Sequence, residues 1–382
     1  MKKVLFLQLK GNSYAGVWQV NKTIAEALIA KGYNVHILAL RNNRNGISLE
    51  HDKRLVLDVI NKKDVWEDNY TGREIIAMTK KMRIFKAIKM SCIKIKHNIT
   101  KYKDKLEVVK YIKNYNPSCI ITTHYELIEM IPREYQNITY HEQHSSFESA
   151  ISNIGNKRVF NKYKEKIRFI WLSKKTMDDA IKYGIKNSIY IYNPVRFKNN
   201  AKVDILNNQT LVTLGRLSKE KRIPLMIEIV KEVFKDPMFK NWHLEIYGEG
   251  PEEETIKKLI ANHKQIKFMG LTNNPQMVFN HVSINLNTST TEGFSMTILE
   301  ANECGVPTIT FDFGEAINEE IIDGETGIVA KNEEDYVNKL KILMQDKNKL
   351  KALSQNVQEF NKNFHIEKII DKWIKLIEEV GE

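Results

Sequence analysis

Cysteine is scarce in this chain of 382 residues: there are three, Cys92, Cys119 and Cys304, and they are far apart. No two of them form a Cys-x-x-Cys pair, so the sequence supports neither a disulfide framework nor a zinc knuckle and favours a reducing compartment. No run approaches about 18 apolar residues, and the first apolar run, residues 4–9, ends after six. We therefore expect no membrane span and no signal peptide, and a cytoplasmic protein.

Proline and glycine are also sparse, with 8 and 17 residues, which excludes a collagen-like or low-complexity chain. The charge that is present is unevenly divided. Residues 1–195 contain 35 Lys and Arg against 18 Asp and Glu, whereas residues 196–382 contain 24 against 29. At about 100–200 residues per domain the chain is long enough for two domains. The basic first half should bind something anionic.

Apolar strands alternate with amphipathic helices along the chain. Residues 4–9 and 35–40 predict two buried strands joined by a glycine-containing loop and a helix, which is a βαβ unit. Further strands are predicted at 119–122, 138–140, 169–172, 188–192, 211–214, 243–247, 266–269, 282–286 and 308–311, and helices at 224–234, 252–261 and 295–304. An apolar stripe over residues 366–380 predicts a terminal helix that packs on another element. The fold class is therefore α/β, with two Rossmann-like doubly wound domains and a cleft between them.

The most informative motif is TTEGFSMTILEA at residues 290–301, which follows a predicted strand. Gly293 and Ser295 allow a helix to begin directly after that strand, so free amides should face outward at the carboxyl end of the sheet, where a phosphate binds well. These amides belong to Phe294, Ser295, Met296 and Thr297. Glu292 and Glu300 flank them, and a carboxylate accepts strong hydrogen bonds from sugar hydroxyls.

A second motif, GRLSKEK at residues 215–221, also joins a predicted strand to a helix. Arg216 and Lys221 should project from this loop, and two preplaced cations there could neutralise a diphosphate leaving group. Gly248 and Leu271 follow the ends of two further strands of the same predicted sheet. The sequence thus indicates a binding site built from several strand ends.

Together, GRLSKEK, GEGP at 248–251 and two glutamates separated by seven residues, Glu292 and Glu300, resemble family 4 of the glycosyltransferases. The resemblance implies a GT-B fold and transfer of a sugar from a nucleotide donor with retention of anomeric configuration. It also implies an acceptor-binding domain of residues 1–195, completed by a crossing helix at 364–382, and a donor-binding domain of residues 196–363.

The resemblance further implies roles for individual residues. Glu300 would hold the ribose hydroxyls and Glu292 the donor sugar, while Arg216 and Lys221 would hold the diphosphate. Gly16, at the end of the first glycine loop, would let the backbone of the opposite domain approach that diphosphate. A P-loop NTPase is excluded, since Val-Trp follows Gly16 where Lys-Ser/Thr is needed.

In this family a histidine of the amino-terminal domain reaches the transferred sugar. The candidates are His141 and His144, and we favour His144 because a His-Ser pair after a strand end matches the family's usual placement. His141 is the second choice. A metal role for this pair is not expected, because no third ligand is in view. The chain also has no Asp-x-Asp motif, which argues against the metal-dependent GT-A class, so we expect no metal and no other cofactor.

Residues 73–113 interleave lysines with Ile and Phe. This pattern is typical of helices at an anionic membrane surface, although a solvated helix face is the alternative. No helix-turn-helix, zinc or aromatic RNP motif is present, so we expect no nucleic-acid partner.

We interpret the sequence as a hexosyltransferase of cell-envelope polysaccharide biosynthesis, peripheral on the inner face of the plasma membrane. It would use a nucleotide sugar, most simply a UDP-sugar, and a lipid-linked or anionic cell-surface glycan acceptor. Two alternatives stay open: a UDP-sugar epimerase of the same architecture, and a non-enzymatic anion- or membrane-binding protein.

Overall fold

The structure is a computed structural model that describes residues 2–11, 16–41, 51–61, 84–314 and 316–379. Backbone contacts group the chain into two compact units. Unit 1 comprises Met1–Glu142, Arg158–Phe169 and Ile374–Glu382, and unit 2 comprises Gln143–Lys157 and Ile170–Trp373. The domain boundary at residue 195 stays a prediction.

The described residues contain two sheets whose neighbouring strands, where their pairing is described, run parallel. The first has seven strands: β1 (Lys3–Lys10), β2 (Asn34–Arg41), β3 (Val56–Asn61), β4 (Cys119–Thr122), β5 (Thr139–Gln143), β6 (Arg168–Trp171) and β7 (Ser188–Tyr190). Their order is β3-β2-β1-β4-β5-β6-β7. Strand β1 pairs with both β2 and β4, so the order of the strands reverses beside it.

Helices join these strands as the βαβ pattern predicts. They are α1 (Gly16–Ala30), α2 (Ile84–Tyr115), α3 (Tyr125–Ile128), α4 (Phe147–Ser152), α5 (Ile154–Tyr163) and α6 (Lys174–Lys182). Helix α1 is amphipathic and buries Trp18, Ile24 and Leu28, while Gly32 follows it with φ +91°, a conformation that suits glycine at a helix end.

Helix α2 is a single helix of 32 residues within the predicted basic block. Residues 73–83 of that block lie outside the described residues. One face of α2 is buried and carries Met90, His97, Asp104, Val108 and Ile112. A second face is exposed and also carries apolar side chains, among them Ile95 and Ile99.

The second sheet has six strands: β8 (Thr210–Leu214), β9 (His243–Tyr247), β10 (Ile266–Gly270), β11 (Ile284–Asn287), β12 (Thr308–Phe311) and β13 (Gly327–Ala330). The order is β10-β9-β8-β11-β12-β13, with parallel pairing throughout. The order therefore reverses between β8 and β11. In open parallel sheets, ligands bind outside the carboxyl ends of the strands at such a reversal.

The helices that follow β8 in the chain are α7 (Ile223–Phe234), α8 (Glu253–Ile260), α9 (Pro275–Phe279), α10 (Met296–Glu303), α11 (Ile317–Glu320), α12 (Glu333–Gln345), α13 (Lys347–Asn361) and α14 (Ile366–Glu378). A large apolar core joins the sheet to α7, α8, α9, α10, α12 and α13, and it includes Leu211, Ile227, Ile246, Leu286 and Leu340. Burial of this apolar surface holds the strand ends in fixed positions.

The end of the terminal helix α14 packs within unit 1. Lys2 Nζ donates to the carbonyl of Ile377 at 3.2 Å, and Tyr140 Oη donates to the carbonyl of Leu376 at 3.2 Å. Tyr33 Oη donates to a carboxylate oxygen of Glu378 at 2.5 Å. The predicted apolar stripe is buried here, with Ile377 fully buried. Within the described residues, no helix combines the length and the apolar character needed to cross a bilayer.

Candidate active site at the ends of strands β8 and β11

The loop after β8 is fixed by close contact between backbones. Gly248 has φ +142°, and a Cβ placed on it would lie 1.8 Å from the carbonyl oxygen of Gly215. The Gly215 amide donates to the carbonyl of Tyr247 at 3.1 Å, and the Leu217 amide donates to the carbonyl of Glu249 at 2.9 Å. The GEGP motif therefore supports the GRLSKEK loop, and only glycine fits at position 248.

The loop after β8 is also bonded to the loop after β11. Thr288 Oγ1 donates to the carbonyl of Lys221 at 2.8 Å, and the Thr290 amide donates to the carbonyl of Glu220 at 2.8 Å. Arg222, which has φ +49°, donates from Nε to the carbonyl of Thr288 at 2.7 Å. These bonds hold the GRLSKEK loop against the loop that leads into the EGFS turn.

A small crevice lies between these two loops, at the reversal of strand order. Its lining includes Arg216, Lys221, Asn287, Ser289 and Thr297. Arg216 is exposed and forms no ion pair among the described residues. The crevice thus presents two cationic side chains and several polar groups, which is a suitable environment for a diphosphate.

Glu292 lies against this cationic side of the crevice. Its Oε1 atom pairs with Lys221 Nζ and accepts a hydrogen bond from Ser289 Oγ at 2.7 Å. Both charged side chains are mostly buried, with exposed fractions of 23% for Lys221 and 13% for Glu292. The pair orients the lysine toward the crevice before any ligand binds, and holds the carboxylate beside it.

Helix α10 begins at Met296, directly after the glycine turn, and Ser295 precedes it as its N-cap. The prediction that the Ser295 amide is free was wrong, because this amide donates to Oε1 of the fully buried Glu320 at 2.9 Å. Burial raises the pKa of Glu320 well above its ordinary value, and the Ser295 amide opposes that shift. Thr297 lines the crevice.

The side chain of Phe294 faces an apolar cluster. It is 6% exposed, stacks on Tyr192 with ring centroids 5.4 Å apart, and contacts Phe364 edge-on at 5.6 Å. Only its backbone is therefore available to a ligand. Met296 is partly buried against the same cluster.

Glu300 is fully buried on α10, one turn beyond Thr297. Its Oε1 atom accepts a hydrogen bond from Nε of Arg196 and forms an ion pair with Nη2 of the same guanidinium, while its Oε2 atom has no hydrogen-bond partner among the described residues. Burial raises the pKa of Glu300, and the neighbouring Arg196 opposes that shift. Arg196 was not among the predicted site residues, since it lies in a connector 104 positions before Glu300.

His144 belongs to unit 2 and its backbone contacts the turn that carries Glu292. A Cβ placed on Gly293 would lie 2.2 Å from the carbonyl oxygen of His144, so the two backbones are in direct contact. Thr291 Oγ1 donates to Ser146 Oγ at 2.8 Å beside them. The His-Ser motif and the EGFS motif, about 150 residues apart, therefore meet in space.

The other candidates are described each in its own part of the fold. His141 is fully buried in β5, with Nδ1 3.1 Å from Thr122 Oγ1 and its ring against Phe160 and Phe169. That is the environment of a core histidine. Gly16 is the first residue of α1, in unit 1, and Leu271 follows β10 with 47% of its surface exposed.

Comparison with known proteins shows what this fold and site resemble. Residues 195–360 match the model of the family Glycosyl transferases group 1. The match contains both crevice loops, Glu292 and Glu300.

The relatives match different lengths of the chain. A Haemophilus influenzae protein, an uncharacterized glycosyltransferase, is 24% identical over 98% of this chain and 99% of its own length. The Streptococcus pneumoniae UDP-N-acetylglucosamine–peptide N-acetylglucosaminyltransferase GtfA subunit is 30% identical over 45% of this chain, which spans only 36% of that subunit. The poly(ribitol-phosphate) alpha-N-acetylglucosaminyltransferase of Staphylococcus aureus is 27% identical over 52% of this chain and 41% of its own length.

The fold is similar to that of solved structures, among them WaaG, a glycosyltransferase involved in lipopolysaccharide biosynthesis, at a TM-score of 0.71 and 13% identity over 98% of this chain and all of that chain. The crystal structure of Anabaena HepE with UDP and glucose superposes with a TM-score of 0.71, covering 99% of this chain and all of that chain at 14% identity. Two parallel-sheet, Rossmann-like domains of the GT-B type are thereby confirmed as the architecture.

Proposed function

We propose that the protein is a retaining glycosyltransferase of family 4 that moves a hexose from a UDP-sugar to a glycan acceptor. The observation that carries the proposal is the crevice at the strand reversal, where Arg216, Lys221 and Glu292 converge. A nucleotide diphosphate is the ligand that this combination of charges and position fits best.

In this proposal the two cations hold the diphosphate, and Lys221 exchanges part of its interaction with Glu292 for the bound phosphates. Charge develops on the leaving phosphate as the anomeric carbon becomes oxocarbenium-like. Preplaced cations stabilise that charge without reorganisation, and we take this as the main catalytic contribution. The leaving phosphate oxygen accepts the acceptor proton. No metal is required for these steps.

The carboxylates and the histidine have separate roles in the proposal. Glu292 binds a hydroxyl of the donor sugar, since it lies beside Lys221, and Glu300 binds the ribose. His144 approaches the sugar from the segment that contacts Gly293. Gly16, Gly248 and the amides at the start of α10 would contribute backbone contacts to the donor.

UDP is the proposed nucleotide because the S. pneumoniae relative is named for a UDP-sugar donor. An anionic polymer is a reasonable acceptor class, since two relatives are named for poly(ribitol-phosphate) and poly(glycerol-phosphate), and since residues 1–195 carry a large excess of positive charge. A lipid-linked glycan in cell-envelope biosynthesis is the other acceptor that this charge would attract.

Helix α2 is the proposed contact with an anionic membrane. Its exposed apolar side chains recur at helical spacing, at Ile88, Ile95, Ile99, Tyr102 and Leu106. Exposed Lys89, Lys96 and Lys103 follow three of these residues directly. A second copy of this face would meet the same lysines, which disfavours self-association, whereas anionic headgroups complement them. The protein would then act on the inner face of the plasma membrane.

Vesicle sedimentation tests this contact. We expect binding to vesicles with phosphatidylglycerol and none to neutral phosphatidylcholine vesicles. Replacing Ile95 and Ile99 with Glu should abolish the binding. Replacing exposed Ile342 of α12 with Glu is the matched control and should leave it unchanged. Equal binding of both variants to anionic vesicles would contradict the proposal.

A thermal-shift panel of nucleotides and nucleotide sugars tests the activity first, because a specific ligand raises the unfolding temperature by mass action. UDP and UDP-sugars should give the largest shift. Turnover of a labelled UDP-sugar should then require an acceptor, whereas an epimerase would need none. NMR of the product should show that the transferred sugar keeps the donor's anomeric configuration. No shift with any nucleotide would overturn the proposal.

A further inference from the structure

The connector that follows β7 carries Arg196, which binds Glu300. Both Nε and Nη2 of Arg196 bind the same carboxylate oxygen, Oε1, while Oε2 is buried without a partner among the described residues. The side chain of Glu300 has no exposed surface and that of Arg196 has 18%. The carboxylate is thus held through one oxygen only.

Arg196 is fixed in position by its neighbours. Val195 packs in the apolar cluster with Phe294 and Leu299, and its amide donates to the carbonyl of Phe364 at 2.8 Å. Beyond Arg196, the Asn199 amide donates to Glu303 Oε1 at 3.1 Å. The connector is therefore attached to α10 on both sides of Arg196.

We propose that Arg196 is a positioning residue for the donor site: it holds Glu300 by one oxygen and leaves the other to accept a hydrogen bond from a ribose hydroxyl. The inference rests on the proposed function, because it assumes a ribonucleotide donor in the crevice. It goes beyond that function in assigning the selection of ribose over deoxyribose to an ion pair outside the crevice lining.

Two physical arguments support this role. An isolated buried carboxylate tends to become neutral, and a protonated carboxyl accepts hydrogen bonds less strongly, so the guanidinium maintains the acceptor. A buried acceptor with no partner also carries an uncompensated desolvation free energy, which a hydrogen bond from a ligand hydroxyl would remove. A ligand without that hydroxyl leaves the cost in place and should bind more weakly.

The test compares UDP with 2′-deoxy-UDP and 3′-deoxy-UDP by calorimetric titration. The wild-type protein should bind UDP more tightly than one of the deoxy analogues, by about tenfold or more, as expected for a hydrogen bond to a charged group. The measured quantity is the ratio of the affinity for UDP to the affinity for the more weakly bound deoxy analogue. In Arg196→Met this ratio should fall toward one, because UDP binds more weakly while the affinity for the deoxy analogue stays the same. Arg196→Lys keeps the positive charge and should restore part of the affinity ratio. It also serves as the test variant if Arg196→Met does not fold.

Two further variants separate positioning from general damage. In Glu300→Gln the affinity ratio should already be close to one. Adding Arg196→Met to this variant should not change the ratio further, because Arg196 acts through Glu300. Lys198→Met removes a nearby exposed ion pair with Glu367 and should leave the ratio at the wild-type value.

The outcomes distinguish the inference from the function on which it rests. An unchanged ratio in Arg196→Met, or an equal loss of affinity for UDP and both analogues, would overturn the role of Arg196. So would wild-type binding that does not distinguish UDP from either analogue. Failure of the wild-type protein to bind UDP at all would instead overturn the proposed donor.

Discussion

Replacing Gly293 with alanine tests whether the His144 segment and the Glu292 turn form one site. The new Cβ would lie 2.2 Å from the carbonyl oxygen of His144, whereas such a contact normally requires about 3.3 Å. One of the two backbones must therefore move by about 1 Å. Gly293 does not have a left-handed φ, so this contact is the main cost of the methyl group.

A displacement of about 1 Å in a catalytic group costs on the order of 10²-fold in rate, which is about 2.7 kcal/mol of transition-state stabilisation. Overpacking of this kind also costs about 1–3 kcal/mol of folding free energy. We therefore expect Gly293→Ala to remain folded and to lose about 10²-fold in kcat/KM. Steady-state transfer with a labelled UDP-sugar measures the rate, and urea denaturation measures the stability.

Gly324→Ala is the matched control. Gly324 has φ +79°, and no atom lies within 4 Å of the position that an alanine methyl group would take, so alanine there should cost about 1–2 kcal/mol of stability through backbone strain alone. It should leave kcat/KM near the wild-type value. If Gly293→Ala kept full activity, or if both variants lost activity in proportion to their stability, the reasoning about a joint site would be refuted.

Two further predictions concern the support of the site. Gly248→Ala combines φ +142° with a contact of 1.8 Å, so it should cost about 3 kcal/mol or more of unfolding free energy, whereas Gly270→Ala, with φ +76° and open space, should cost about 1–2 kcal/mol. Equal losses in urea denaturation would contradict this. Burial raises the pKa of Glu320 above 4.5, so its folded form resists ionisation and wild-type stability should fall as the pH rises above about 4.5. Glu320→Gln should lack that decline, which is at most about 1.4 kcal/mol per pH unit, and parallel pH profiles for the two proteins would argue against it.

The sequence was sufficient for the architecture because its apolar runs are distinct. The predicted strands at 243–247 and 308–311 coincide with β9 and β12, where buried residues stand between clear turn residues. Strands β3 and β13 were not predicted. In the first, Asp58 interrupts the apolar run after two residues, and the second has only four residues and begins with glycine, so neither forms an apolar run long enough to predict a buried strand.

The meeting of the two crevice loops was also predictable in outline. Both follow parallel strands, and parallel strands place their carboxyl ends at one edge of the sheet. The pairing of Lys221 with Glu292 depends on side-chain conformations and on the Thr288 bonds, for which the sequence holds no signal.

Contacts between residues that are far apart in the sequence could not be predicted from local sequence motifs. Arg196 reaches Glu300 because the connector after β7 packs beside α10, and Glu320 reaches Ser295 because the short helix α11 returns beneath that turn. Each contact depends on the path of a loop through the fold. Local motifs predict where strands end, but they do not predict which side chains return there.

In the proposed function, the crevice between the loops after β8 and β11 holds a nucleotide diphosphate by its two cations. Calorimetric titration of UDP into the wild-type protein and into Arg216→Ala with Lys221→Ala tests it most directly. We predict one UDP site per chain in the wild-type protein and a loss of affinity of at least about 10²-fold in the double variant, as two charge-assisted contacts are removed. Equal UDP affinity in both proteins would contradict the account.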